Sequence, residues 1–98
     1  MTITKKQDGT NLEIALEGRL DTTTAPELEK ELNACLDNAD TLTLDFADLA
    51  YISSAGLRVL LSAHKVMSAK GGMKVTHANE IVKEVFEVTG FADIIDME

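Results

Sequence analysis

The sequence predicts an α/β sandwich: one mixed β-sheet of four to five strands packed with helices, in a single domain over residues 1–98. Three observations carry this. Ninety-eight residues, 45% hydrophobic and 27% charged, have the size and composition of one ordinary globular core. Apolar and polar residues alternate with a period of two at Leu12–Leu16, Leu42–Phe46 and Met73–His77, as half-buried strands require. Between and after these runs lie segments of helical periodicity, long enough for right-handed crossover connections between parallel strands.

The elements follow in order. Ile3 precedes an Asp8-Gly9 turn signal, so residues near 2 to 6 pair as a hairpin with the strand of Leu12, Ile14 and Leu16. The loop from Gly18 to Thr23 leads to Thr24-Ala25-Pro26-Glu27, whose threonine and glutamate have the spacing of a capping box. A helix starts there. Leu28, Leu32, Cys35 and Leu36 form its apolar stripe, which places Cys35 in the core. The strand from Thr41 to Phe46 follows, then a connection through Asp48 and Ile52. From Leu57 a helix carries Leu60, Leu61, His64 and Met67 to Lys70, where Gly71-Gly72 stops it. Met73, Val75 and His77 form a third alternating strand. Asn79 caps a last helix that ends at Gly90, and Ile94-Ile95 form a short final strand.

Composition excludes several functions. Nine Lys+Arg against 17 Asp+Glu give a net charge of −8, which repels a nucleic-acid backbone or an anionic membrane surface. The N-terminus has no apolar run of signal-peptide type, and no stretch reaches the roughly 18 apolar residues of a membrane span. The single cysteine fits a reducing compartment, so a cytoplasmic location is expected. The two histidines, one cysteine and scattered carboxylates have no metal-ligand spacing, and no cofactor is expected. His64 and His77 read as packed or partly exposed side chains. No nucleophile elbow, Walker loop or dinucleotide fingerprint occurs, which argues against an enzyme. A carrier domain of acyl type, all helical, is contradicted by the alternating strands.

The informative stretch is Ser53-Ser54-Ala55-Gly56-Leu57. Two hydroxyls stand where a helix begins and backbone N–H groups lack partners, a place that suits a helix cap or an anion. Ala55-Gly56 are small, which on sequence grounds leaves the surface open to a partner or a phosphate. A phosphate on a serine here adds about −1.5 to −2 charges where a helix tolerates them best.

The chain resembles the STAS domains, and among them the stand-alone bacterial anti-sigma factor antagonists. The resemblance rests on Glu17-Gly18-Arg19-Leu20-Asp21 followed by Thr22-Thr23-Thr24-Ala25, on the run from Leu44 to Leu57, and on Gly71-Gly72-Met73-Lys74-Val75 before a helix ending at Thr89-Gly90-Phe91. It covers nearly the whole chain. It implies a phosphorylation-controlled binding switch in transcription regulation. The unphosphorylated domain binds an anti-sigma factor that is also a serine kinase of histidine-kinase-like ATPase fold, and so frees the sigma factor. Phosphorylation ends the interaction, and a metal-dependent serine phosphatase restores it.

In the family motif Asp-Ser-[Ser/Thr]-Gly-Leu the acceptor is the serine two positions before the glycine, which here is Ser54. Ser53 replaces the aspartate and is a competing acceptor, and Ala55 follows Ser54. Asp21, Thr22 and Thr23 match the loop beside the acceptor. With Ser53, Ser54, Gly56, Leu57 and Arg58 they make the expected partner-binding set. Many family members continue past the position of Glu98 into a further helix. The alternative reading is a constitutive STAS interaction subunit, such as that of a lipid-trafficking ABC transporter, in which the serine only caps a helix.

Overall fold

A computed structural model describes all residues, 1–98. Strand β1 (Thr2–Asp8) turns through Gly9 and Thr10 into β2 (Asn11–Leu20), antiparallel to it. Helix α1 (Ala25–Cys35) and a 3₁₀ turn lead to β3 (Thr41–Ile52). Helix α2 (Ser54–Ser68) leads to β4 (Met73–Thr76). Helix α3 (Glu80–Thr89) and a second 3₁₀ turn lead to β5 (Asp96–Met97). The sheet order is β1-β2-β3-β4-β5, and β2 to β5 run parallel.

Parallel neighbours joined in sequential order by crossovers of one hand carry all their helices on one face. The burial agrees: Leu12, Ile14, Leu42, Leu44, Met73 and Val75 point into a single core of 25 apolar residues shared with the three helices. Glu13, Thr43 and Lys74 line the other face, outside this core. The molecule is therefore two layers, as the sequence predicts, with five strands.

Four local expectations are corrected. β3 does not stop at Phe46 but continues to Ile52, because its register against β2 shifts between Ala15 and Glu17 and again between Gly18 and Arg19. Each shift adds a residue to β3, so its inward side chains fall at 42, 44, 46, 49 and 52 rather than at every second position. Helix α2 begins at Ser54, before its first apolar anchor, and ends at Ser68. His77 has left β4, with a left-handed φ of 60°. The final strand is Asp96–Met97 rather than Ile94-Ile95; Ile95 is buried just before it.

Two further readings change in detail. The capping box at Thr24 and Glu27 does not form, since the Thr24 hydroxyl donates to the Arg19 carbonyl at 2.7 Å and accepts from the Asp21 N–H at 2.9 Å. Cys35 is only half-buried at the margin of the core, its Sγ 3.5 Å from the Lys5 ammonium, which in turn pairs with Glu31 at 2.7 Å. It sits at the last residue of α1, where the helix tightens into a 3₁₀ turn and Leu36 takes the inward position. His64 is half-buried in α2, its Nδ1 without a hydrogen-bond partner.

Candidate functional site

The C-terminal ends of β2 and β3 release two loops side by side, at the edge where open α/β sheets place their ligands. The Ser53 N–H donates to the Leu20 carbonyl at 2.9 Å, which ties the start of α2 to the loop after β2. That loop is built by Asp21. Its Oδ1 accepts from the Thr23 N–H at 3.0 Å and the Thr24 N–H at 3.1 Å, and its carbonyl accepts from the Ala25 N–H at 2.8 Å. Of these donors at the start of α1, the Thr24 N–H is one that a capping box would otherwise have served. The Thr24 N–H first, then the Thr23 N–H, the Thr24 hydroxyl and the Arg19 charge hold the Asp21 carboxyl below its ordinary range, against a desolvation that pushes it up. Thr22 and Thr23 stand exposed at the tip.

The two serines are separated in role. Ser53 is the N-cap of α2, its Oγ accepting from the Gly56 N–H at 3.5 Å, long for such a bond. Ser54 is the first helical residue, exposed, and its hydroxyl takes no part in the cap. The first α2 backbone bond runs from the Leu57 N–H to the Ser53 carbonyl at 2.9 Å, so the N–H groups before it have no backbone partner in the helix.

Gly56 does not serve as open surface. It is buried, and a Cβ there would lie 2.7 Å from Leu20 Cγ and 2.9 Å from Ile52 Cγ1. The glycine lets α2 press onto the ends of β2 and β3, which sets the height at which Ser54 emerges. Leu57 is likewise buried, 4% exposed, while Arg58 is exposed one turn beyond Ser54. Of the residues named from sequence, Thr22, Thr23, Ser54 and Arg58 face solvent. Asp21 and Ser53 are half-buried beneath them, and Gly56 and Leu57 hold the helix from inside.

Two residues escaped the sequence reading. Arg19 and Tyr51 pair across β2 and β3, and the Arg19 guanidinium lies 4.6 Å from the centre of the Tyr51 ring. Arg19 Nε is also 3.9 Å from Asp21 Oδ2. The signal was their position two residues before Asp21 and Ser53, but Tyr51 falls after the second register shift, which hid its outward orientation.

Elsewhere, a cleft of 430 Å³ lined by Asn11, Thr41, Gly72, Lys74 and Asp96 opens at the opposite end, where β2, β3 and β4 begin. It gathers no nucleophile with a base. No group of three or more His, Cys, Asp or Glu residues is placed to hold a metal ion, and no helix is long and apolar enough to cross a membrane. His77 Nδ1 lies 3.0 Å from Asp45 Oδ1, and Asp45 also accepts from the Ala47 N–H at 2.9 Å, a contact that steadies the first irregularity of β3.

Fold and site together define a small α/β domain that presents two loops and a helix N-terminus at one end of a parallel sheet. The STAS domain family model matches residues 2–98, and the chain belongs to that family. An anti-sigma-B factor antagonist of Bacillus subtilis is 29% identical over 93 residues, 94% of this chain and 85% of that protein. BtrV of Bordetella bronchiseptica, named as an anti-sigma factor antagonist with its role unproven, is 41% identical over 81 residues, 81% of this chain and 70% of its own. The fold matches the Bacillus cell fate determinant SpoIIAA in both its forms. For the unphosphorylated form the TM-score is 0.85 at 17% identity, over 99% of this chain and 88% of that one. For the phosphorylated form it is 0.77 at 16% identity, over 99% and 91%.

Proposed function

We propose that the chain is an anti-sigma factor antagonist that works by partner switching, with Ser54 as the switch. In its unmodified state the face of Thr22, Thr23, Ser54 and Arg58, supported by Asp21 and Ser53, docks on an anti-sigma factor that is itself a serine kinase of histidine-kinase-like ATPase fold. The sigma factor is thereby released. The kinase then transfers the γ-phosphoryl group of ATP to Ser54: the Oγ–P bond forms, the bond from phosphorus to the bridging oxygen of ADP breaks, and the hydroxyl proton is released. The phosphorylated domain leaves, and a metal-dependent serine phosphatase hydrolyses the ester and returns the domain to the pool. The chain binds and is modified; it catalyses nothing, and the cycle runs in the cytoplasm.

The observation that carries this reading is the division of labour between the serines. The Ser53 hydroxyl is turned to the Gly56 N–H, whereas the Ser54 hydroxyl stands exposed at the first position of α2. An acceptor must be reachable, and its product must not break the fold. A phosphate at the first turn of a helix meets unpaired N–H groups and the positive end of the dipole. The names of the Bacillus subtilis and Bordetella relatives support the partner class.

The test is phosphotransfer with ATP and the purified anti-sigma ATPases of the source genome, followed by mass spectrometry. Phosphate is expected on Ser54. A phosphopeptide retained at undiminished yield in Ser54→Ala overturns the assignment, and no transfer by any of these ATPases favours a constitutive interaction subunit instead.

A further inference from the structure

Arg58 follows Ser54 by four residues in α2, so the two side chains leave the helix one above the other, with Cβ atoms about 5–6 Å apart. Both are exposed. The order also matters, since an acidic group N-terminal to a basic one at this spacing agrees with the helix dipole. Most other cations of this acidic chain are engaged. Lys5 pairs with Glu31, Arg19 with Asp21, Lys74 with Glu98 and Lys83 with Glu80. Lys70 is spent on the carbonyls of Leu36 and Ala39, at 2.6 and 3.1 Å. Arg58 has no such carboxylate or carbonyl, so its guanidinium stands free beside the hydroxyl that the proposed switch modifies.

We propose that Arg58 reads the modification of Ser54: free, it offers a cation to a carboxylate of the docking partner, and once Ser54 carries a phosphate it folds back onto that phosphate and is withdrawn from the face. This rests on the switch reading above and deepens it. A phosphoserine brings three acceptor oxygens, and a guanidinium meets two of them with parallel N–H bonds, a geometry lysine lacks. The switch then acts twice in one step, adding a negative charge to the docking face and removing the positive charge next to it. Partner affinity lost on phosphorylation exceeds what repulsion at Ser54 alone would give.

The experiment uses the full chain with phosphoserine incorporated at position 54, and follows the second ionisation of its phosphate by ³¹P NMR titration. A cation one turn away favours the dianion, so the second pKa in the otherwise native chain should lie at least about 0.3 unit below that in Arg58→Gln. Arg58→Lys should fall between them. Lys65→Gln, which removes the same charge from the far half of α2, should titrate like the native chain. Coincident curves for the native chain and Arg58→Gln overturn the proposal, and so does an equal shift in Lys65→Gln, which would make the effect one of net charge. Binding of each phosphorylated chain to the purified anti-sigma ATPase is measured in parallel. Affinity lost despite coincident titrations removes the role of Arg58 and leaves the switch standing, whereas affinity unchanged by the phosphate removes the switch itself.

Discussion

Asp21 and the two serines show how much of the site depends on single hydrogen bonds. The Asp21 carboxylate holds the N–H groups of Thr23 and Thr24, and its folded pKa is lowered. A lowered folded value means that the unfolded chain takes up a proton first as pH falls. The stability that Asp21 contributes is thus complete above its ordinary value of 3.8 and is lost below it, as pH falls through the folded value. Thermal melts of the native chain and Asp21→Asn should differ at about pH 6, and the difference should narrow as pH falls below 3.8; a difference that does not narrow there would show that charge is not what the loop uses. At the serines the cap belongs to Ser53. Ser53→Ala should cost about 0.5–1 kcal/mol, at the low end for a cap because its 3.5 Å bond is long. Ser54→Ala should change stability by less than about 0.5 kcal/mol, since an exposed hydroxyl outside the cap is exchanged for a better helix former. Chemical denaturation of both variants checks the pair, and a larger loss at Ser54 would reverse the assignment.

At the scale of elements, Gly56 fixes how closely α2 meets the sheet. Alanine is the better helix former by about 1 kcal/mol, but its Cβ would lie under 3 Å from Leu20 and Ile52, and overpacking of this kind costs about 1–3 kcal/mol. Gly56→Ala should therefore destabilise the fold by up to about 2 kcal/mol, or tilt α2 away and move Ser54. Denaturation together with amide chemical shifts of residues 53–58 measures both, and a stabilised variant with unmoved shifts would contradict the close approach. The same region marks where the sequence stops being readable. Period-two alternation located the parts of β2, β3 and β4 whose ladders are regular, and the stripe at Leu28, Leu32 and Leu36 located α1. It could not follow β3 past Phe46, because each register shift reverses which residues face inward and the pattern reads as a loop. The capping box failed for a related reason: Thr24 and Glu27 have the correct spacing, but Asp21, from outside the motif, already holds the Thr24 N–H, and the Thr24 hydroxyl is turned to the Arg19 carbonyl.

For the whole molecule, sequential strand order and helices on one face leave the loop edge after β2 and β3 as the place where a helix N-terminus and a threonine loop meet. Residue identities gave the exposed half of the candidate site, Thr22, Thr23, Ser54 and Arg58. They misread Gly56, because a small residue in a sequence looks the same whether it opens a surface or lets two elements touch. They passed over Arg19 and Tyr51 because only the paired register brings the two together.

The proposed switch requires that Ser54 lie inside a docking face and that charge there control binding. Titration of the purified anti-sigma ATPase with the native chain, Ser54→Ala and Ser54→Asp tests it most directly, with thermal melts of each chain alongside. Aspartate at the first turn of α2 is compatible with the helix dipole, so the melt should shift by the equivalent of less than about 1 kcal/mol. At the interface, where Arg58 is engaged by the docking partner, the same charge must be desolvated unpaired, at a cost of about 3 kcal/mol or more, which is over a hundredfold in affinity. Ser54→Ala should bind like the native chain and Ser54→Asp should lose affinity by at least that factor, in a chain that remains folded. Equal affinity of Ser54→Asp and the native chain would place Ser54 outside the interface and rule out the switch.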